Sequence, residues 1–418
     1  MTNTIKFDNQ SQYTRAILAG VDYGEYDAEA SIRELEELAK TAKANVVAVL
    51  IQRKAAIDSS TCLGEGKLFE LKELCDTQDI NLVIFDHELT AVQLRNIERI
   101  LNVAIIDRTM LILDIFASRA NSSEGKLQVE LAQLKYRLPR LSGIGISLSR
   151  LGGGIGTRGP GETKLETDRR HIRRRISKLN EELKELEKRR NLTHIRRKKD
   201  LIQTIAIVGY TNVGKSTLLN TLTNANVLAE NKLFATLDPT SRGIELPDGR
   251  KVLITDTVGL IRRLPHHLIE AFKSTLEQAA NADLILHVLD CSDSDYLEKA
   301  YVVEELLSEL GASHIPVLKV MNKSDLLPEG LIENNKNTVF ISAKNNKGIN
   351  LLLAKISEKL PPTFCKMQLL IPYDKGGVLA QIRKNGKILS EEFCQDGTKV
   401  TALVHTIDIK TSEKYKLD

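Results

Sequence analysis

A glycine-containing segment near the middle of the chain restricts its fold more than any other feature. An apolar run, residues 205–208, leads into it, and a helical pattern over residues 217–222 follows. In this setting backbone N–H groups turn toward a phosphate, Lys215 reaches the β- and γ-oxygens, and the Ser216 hydroxyl can ligate Mg²⁺. The residues of this P-loop are Gly209, Tyr210, Thr211, Asn212, Val213, Gly214, Lys215 and Ser216. The segment predicts a nucleoside triphosphate site; a chance glycine-rich turn is the alternative.

A second motif follows the strand-like run over residues 251–255. It consists of Asp256, Thr257, Val258 and Gly259. An aspartate at a strand end can hold Mg²⁺ through water, and the glycine lets its own N–H approach the γ-phosphate. The order and the spacing favour a nucleotide hydrolase over a chance turn.

Two later motifs select the base. Asn322, Lys323, Ser324 and Asp325 follow an apolar run, and Ser342, Ala343 and Lys344 follow another. The Asp325 carboxylate can accept two hydrogen bonds from the N–H edge of guanine, where adenine presents an acceptor instead. The second turn can support guanine O6 from its backbone. Together the motifs predict a Ras-like, doubly wound GTPase domain over residues 201–361.

Length and composition exclude several classes of protein. The 418 residues suffice for two to four domains, and there is neither an 18-residue apolar stretch nor a signal peptide pattern, so we expect a cytoplasmic protein without a membrane partner. The five scattered cysteines predict neither zinc nor disulfides.

The net charge is only +4, but residues 162–200 contain 15 Lys and Arg against 8 Asp and Glu. The positive charge is therefore local.

The two ends of the chain predict accessory domains. Residues 1–120 alternate strand and helix patterns, which is typical of a small parallel α/β domain, and we interpret this domain as a binding module. Residues 64–67 are too short for a phosphate loop and predict a helix start. Asp86, His87 and Glu88 follow a strand, and we interpret them as a solvated loop rather than a catalytic site. Residues 362–418 predict a small α+β domain with strands over residues 368–371, 378–382 and 399–405.

Residues 121–200 carry two apolar seams with alternating spacings of four and three. The first seam is Leu127, Leu131, Leu134, Leu138 and Leu141; the second is Ile172, Ile176, Leu179, Leu183 and Leu186, with Leu165 one heptad before it. Each seam predicts a coiled-coil helix. An antiparallel hairpin within the chain is the simplest arrangement, and pairing with another molecule is the alternative.

The loop between these helices, residues 142–161, contains eight glycines together with Arg150 and Arg158. Such a composition cannot build a core. The second helix then presents an excess of arginines over its nearby acidic residues: Arg169, Arg170, Arg173, Arg174 and Arg175. A basic arm with a glycine-rich tip suits a narrow polyanionic space, so we expect structured RNA as the partner; a plain linker is the alternative.

Four sequence motifs indicate a family resemblance: LQVELAQL at residues 127–134, GPGETKLE at 159–166, FATLDPT at 234–240 and DTVG at 256–259. By these motifs the chain resembles the HflX family of translational GTPases throughout its length. The resemblance implies an N-terminal α/β domain, a helical arm, a GTPase domain and a small C-terminal domain. It also implies binding to the large ribosomal subunit, with the glycine-rich tip near the peptidyl-transferase centre, and GTP-dependent splitting of stalled ribosomes under stress.

The resemblance also assigns residues to the first switch, namely Phe234, Ala235, Thr236, Leu237 and Asp238. By this resemblance, Thr236 of the FATLDPT motif ligates Mg²⁺ opposite Ser216 and senses the γ-phosphate. Thr240 is the alternative, because spacing alone does not choose between the two threonines.

The water-activating residue is not evident. GTPases that orient the attacking water with a side chain place glutamine directly after the DxxG glycine, and here Leu260 stands there. We therefore expect slow intrinsic hydrolysis that the ribosome stimulates. His266 and His267 are interpreted as solvent-facing, and Arg262 and Arg263 could pair with phosphate or with RNA.

Asn212 occupies a P-loop place at which some GTPases hold K⁺ beside the phosphates, so we predict modest stimulation by K⁺. We expect the protein to act as a monomer. The alternative to ribosome splitting is a GTP-gated assembly factor or RNA chaperone of the large subunit, in which the nucleotide controls only residence on the RNA. Regulation of a membrane protease has no support in the sequence.

Overall fold

The computed structural model describes most of the chain in a mixed α/β architecture with three sheets. The described residues are 14–141, 164–199, 202–223, 233–234, 240–265, 268, 279–328, 334–362 and 364–417. The predictions made for the glycine-rich loop with Arg150 and Arg158, for residues 235–239 with Thr236, and for His266 and His267 lie outside these ranges.

The N-terminal sheet is parallel, with strand order β2-β1-β3-β4. Its elements are β1 (Thr14–Asp22), α1 (Ala28–Thr41), β2 (Ala44–Arg53), α2 (Glu65–Thr77), β3 (Leu82–Phe85), α3 (Ala91–Leu101), β4 (Ala104–Asp107) and α4 (Arg108–Arg119). Side chains of Asp27, Thr90 and Asp107 accept hydrogen bonds from the first-turn N–H groups of α1, α3 and α4. Helix α2 begins directly after Gly64. The parallel α/β prediction and the predicted helix start are confirmed.

Helices α5 (Ser123–Arg140) and α6 (Lys164–Lys199) form the arm. Arg190 of α6 pairs with Glu124 near the start of α5 (3.1 Å), and Arg175 pairs with Glu130 further along α5 (2.7 Å). This opposite order of the partners along the two helices shows antiparallel packing within one chain. Arg175 is thus engaged by a carboxylate of the neighbouring helix.

Helix α5 also belongs to the core of the N-terminal domain. Val129, Ala132 and Tyr136 are buried in one apolar cluster with α4 residues, while the seam residue Leu131 is buried on another side of α5. The Tyr136 hydroxyl donates a 2.6 Å hydrogen bond to Asp107. The base of the arm is therefore fixed rigidly to the N-terminal sheet.

The GTPase sheet has strand order β10-β9-β8-β5-β7-β6, and only β6 is antiparallel to its neighbour. Its elements are β5 (Gln203–Gly209), α7 (Lys215–Thr223), β6 (Thr240–Glu245), β7 (Lys251–Asp256), β8 (Leu284–Asp290), α8 (Tyr296–Glu309), β9 (Val317–Asn322), β10 (Thr338–Phe340) and α9 (Ile349–Lys359). Strand β5 is apolar and buried over residues 205–209, as expected for a strand that is covered on both faces. The carboxyl ends of β5, β7 and β9 bring three predicted motifs to one edge of the sheet.

The C-terminal sheet is antiparallel, with order β11-β13-β12. Its elements are β11 (Phe364–Ile371), α10 (Gly376–Asn385), β12 (Lys387–Cys394), β13 (Gly397–His405) and α11 (Thr406–Ser412). The predicted α+β class is confirmed, but the predicted strand over residues 378–382 was wrong. That apolar run lies in α10, where Ile382 packs on the sheet, and the unpredicted strand β12 follows it.

Candidate nucleotide-binding site

The P-loop lysine lies at the centre of the site. Lys215 is 7% exposed, and its Nζ donates to the carbonyl oxygens of Gly209 (3.1 Å) and Tyr210 (2.7 Å). An ammonium has three donors, so one N–H remains to meet a phosphate oxygen. Burial lowers the pKa of Lys215 to about 8, and the nearby Asp256 carboxylate opposes this shift. The buried ammonium is therefore well suited to bind a phosphate anion.

The two P-loop glycines are required by close approach. A Cβ at Gly209 would lie 2.4 Å from the Val288 carbonyl oxygen. Gly214 has φ +92°, and a Cβ there would lie 2.4 Å from Asn322 Nδ2. The side chains of Tyr210, Thr211 and Val213 are buried, whereas Asn212 is exposed with φ +62°. Of the P-loop side chains between the two glycines, only that of Asn212 is exposed.

The predicted magnesium residues Ser216 and Asp256 lie together. Ser216 Oγ is 2.7 Å from Asp256 Oδ2, and Asp256 is fully buried at the end of β7. A hydroxyl and a carboxylate are hard oxygen donors, which suit Mg²⁺ held beside phosphates. These residues therefore fit the ion: Ser216 would ligate it directly, and Asp256 would hold it through water.

Asn322 connects the P-loop to the base-binding turn. Its Nδ2 donates to the Val213 carbonyl oxygen (2.8 Å), and its Oδ1 accepts from the Ala343 N–H (3.0 Å). Asn322 is 3% exposed, so both bonds are shielded from water. Because the Ala343 amide is engaged in this way, the amide of Lys344 is the donor we expect for guanine O6.

The carboxylate predicted to select the base, Asp325, is exposed. Its pKa lies below the usual value, chiefly because the Ser342 hydroxyl donates to it. The side chain of Lys323 is anchored by Asp290 at 2.6 Å, and Ser324 donates its N–H to the Ile341 carbonyl oxygen (3.0 Å). Asp325 is therefore held as an anion that can accept the two guanine N–H groups.

The segment after the DxxG motif packs on the P-loop. Leu260 forms a bridge to Tyr210, in which the Thr211 N–H donates to the Leu260 carbonyl (2.9 Å) and the Leu260 N–H donates to the Gly209 carbonyl (3.3 Å). The Leu260 side chain is 3% exposed and belongs to the cluster that contains Ala206. It therefore faces the core, as do the side chains of Thr257 and Val258.

Two predictions about charged residues were wrong. Asp86 and His87 were interpreted as a solvated loop, but they are 1% and 4% exposed. The sequence predicts phosphate or RNA as the partner of Arg262 and Arg263, but Arg262 pairs with Glu298 of α8 (2.8 Å) and Arg263 pairs with Asp86 (2.8 Å). The N-terminal domain therefore contacts the GTPase domain beside the nucleotide site. The sequence could not show this contact, because its partners lie more than 170 residues apart.

The remaining predicted residues have different placements. Phe234 is 2% exposed and packs edge-to-face on Phe116 of α4, with ring centroids 4.6 Å apart. On α6, Arg170, Arg173 and Arg174 are exposed and Arg169 is half-buried. None of the helices in the described ranges combines the length and the apolar composition of a membrane-spanning segment.

Family models cover most of the chain in three parts. They are the GTP-binding GTPase N-terminal region (residues 29–117), the GTP-binding GTPase Middle Region (119–197) and the 50S ribosome-binding GTPase (204–323). A GTPase HflX from Caldanaerobacter subterraneus is 54% identical over 95% of this chain and 92% of its own length. The chain belongs to the HflX family of GTPases.

The GTPase HflX of Escherichia coli is 41% identical over 94% of this chain and 93% of its own length. A GTP-binding protein from Sulfolobus solfataricus, solved with GDP, is 27% identical and covers 82% of this chain and 98% of that one, with a TM-score of 0.44. As an HflX-type GTPase, the chain binds guanine nucleotide and hydrolyses GTP, and its GTPase domain is of the 50S ribosome-binding kind.

Proposed function

We propose that this chain binds the large ribosomal subunit in its GTP state and splits stalled ribosomes under stress, with GTP hydrolysis releasing the factor. The observation that carries the proposal is the stiff basic arm. The exposed arginines lie on α6, which packs antiparallel to α5. Helix α5 is in turn buried in the core of the N-terminal domain. The match of the GTPase domain to a 50S ribosome-binding family supports the choice of RNA partner.

The arm can be tested by its charge. We expect the double variant Arg173→Glu with Arg174→Glu to weaken pelleting with purified large subunits by about tenfold or more at moderate salt, since each lost cation also removes counterion release. The matched control is Lys184→Glu with Lys188→Glu, which changes the same charge on the same helix among acidic neighbours. Equal affinities of the two variants would contradict a role of the arginine face in RNA binding.

We further propose that Ser216 and Thr236 ligate Mg²⁺ and that Asn212 holds K⁺ beside the phosphates. The exposed side chain of Asn212, next to the P-loop backbone, supports the second assignment. Hydrolysis rates that are equal in K⁺ and Na⁺ would exclude this ion. The same proposal includes a cytoplasmic location, a monomeric state and four domains, at residues 1–120, 121–200, 201–361 and 362–418.

Slow intrinsic hydrolysis that the ribosome stimulates is also part of the proposal. The buried Leu260 side chain supports it, because no polar group at that place can orient water. Addition of joined ribosomes should therefore raise turnover. If turnover stays at the intrinsic rate while binding is intact, the assembly-factor alternative, in which GTP controls only residence, becomes the better account.

A further inference from the structure

The last turn of α5 is held against the N-terminal sheet by one arginine. Arg140 is the final residue of this helix, and its guanidinium carbon lies 3.5 Å from the centroid of the Tyr136 ring. Its Nη2 donates to the Leu89 carbonyl oxygen (2.8 Å) and to Glu88 Oε1 (3.0 Å), both in the loop that follows β3. The Arg140 side chain is 13% exposed, so these contacts are largely shielded from water.

A buried carboxylate completes the contact. Asp107 Oδ2 accepts hydrogen bonds from the Tyr136 hydroxyl (2.6 Å) and from the Leu89 N–H (3.0 Å). The same oxygen lies 3.5 Å from Arg140 Nη2, and Asp107 Oδ1 accepts from the Met110 N–H (2.9 Å). We refer to Asp107, Tyr136 and Arg140 as the arm clamp. Without the Arg140 side chain the buried carboxylate would keep three hydrogen-bond donors, so we expect Arg140→Ala to fold.

The arm clamp supports a weak point at the end of α5. Pro139 lies in the last turn, and a proline has no N–H to donate within a helix. Arg140 Nη1 donates to the Tyr136 carbonyl oxygen (2.9 Å), which adds a side-chain hydrogen bond to that turn. The glycine-rich loop, residues 142–161, follows almost directly in the sequence. The last turn of α5 therefore sets the point and the direction from which this loop starts.

We propose that Arg140 is a positioning residue for ribosome binding, which fixes the end of α5 from which the glycine-rich loop reaches rRNA. This inference rests on the proposed function, in which that loop enters a narrow RNA space. A binding segment that starts from a fixed point loses less conformational entropy when it binds. Arg140 itself is engaged within the N-terminal domain, so its effect on binding should require the loop.

The test compares the effect of Arg140→Ala in the full chain and in a shortened chain that lacks residues 142–161. Pelleting with purified large subunits and a non-hydrolysable GTP analogue measures the affinity. We expect Arg140→Ala to weaken binding about fivefold in the full chain and less than about twofold in the shortened chain, because only the loop loses its fixed start. Arg140→Lys keeps the charge beside Glu88 and should recover part of the affinity. Arg137→Ala, an exposed arginine one turn earlier on α5, is the control for the lost charge and should act equally in both chains.

Chemical probing of the rRNA in these complexes gives a second readout. Nucleotides that the full chain protects and the shortened chain leaves open define the footprint of the loop. We expect Arg140→Ala to lose protection at these nucleotides and to keep the protection that the rest of the chain supplies. A residue with a structural role only would not change one part of the footprint selectively.

Three results would overturn the proposal: no loss of affinity in the full chain, an equal loss in both chains, or an unchanged footprint of the loop in Arg140→Ala. The proposed function fails in a different way. If the shortened chain binds as tightly as the full chain and protects the same nucleotides, the loop does not reach rRNA, and the inference fails together with that function.

Discussion

Replacement of Asn322 by alanine tests how the site is held together. The side chain makes two shielded hydrogen bonds, one to the P-loop carbonyl of Val213 and one to the amide of Ala343 in the base-binding turn. The variant leaves both backbone groups buried without these partners, which costs about 1–3 kcal/mol each. The combined cost of about 2–6 kcal/mol is shared between folding and nucleotide binding, because either loop can relax when no nucleotide is bound.

We expect Asn322→Ala to bind GDP at least about tenfold more weakly, which corresponds to about 1.4 kcal/mol of the total, and to unfold at lower temperature. A fluorescent GDP titration measures the first effect, and thermal unfolding with and without GDP measures the second. Asn337→Ala, an exposed asparagine of the same domain, is the matched control. GDP affinity within about twofold of the parent protein, together with unchanged stability, would refute the bridging role of Asn322.

Three further predictions follow from the same geometry. Asp325→Asn should lose guanine nucleotides and gain xanthine nucleotides, because xanthine presents a carbonyl where guanine presents an amino group; competition binding with XDP and GDP measures this. Nucleotide affinity should fall as pH rises through about 8, because the buried Lys215 loses its proton in the free protein and binding must restore it. Calorimetry in two buffers should show proton uptake at pH 8.5 and much less at pH 7. Leu260→Gln should not raise turnover but should destabilise the protein by about 1–3 kcal/mol, because the amide would enter an apolar cluster; faster hydrolysis would contradict the buried position.

The nucleotide motifs could be predicted from the sequence because their chemistry is local. Strand, loop and helix follow one another around the P-loop, and parallel strands end at a common edge, so Ser216, Asp256 and Asn322 were expected to converge. The antiparallel arm was predictable for a similar reason, since a seam of regular spacing fixes which face of each helix is covered.

The contacts between domains could not be predicted. Asp86 and Arg263 are each ordinary loop residues in sequence, and only the tertiary fold shows that they form an ion pair between the two domains. The strand predicted over residues 378–382 failed for another reason. A short apolar run carries little periodicity, and packing of Ile382 on the C-terminal sheet decides in favour of a helix.

Light scattering of purified joined ribosomes mixed with the protein tests the central claim most directly. The mixtures should contain GTP, a non-hydrolysable GTP analogue or GDP, and a variant lacking residues 142–161 should be measured beside the full chain. We predict rapid loss of scattering with GTP and with the analogue, little loss with GDP, and none with the deletion variant. Constant scattering in every nucleotide state, with binding to the large subunit intact, would contradict ribosome splitting.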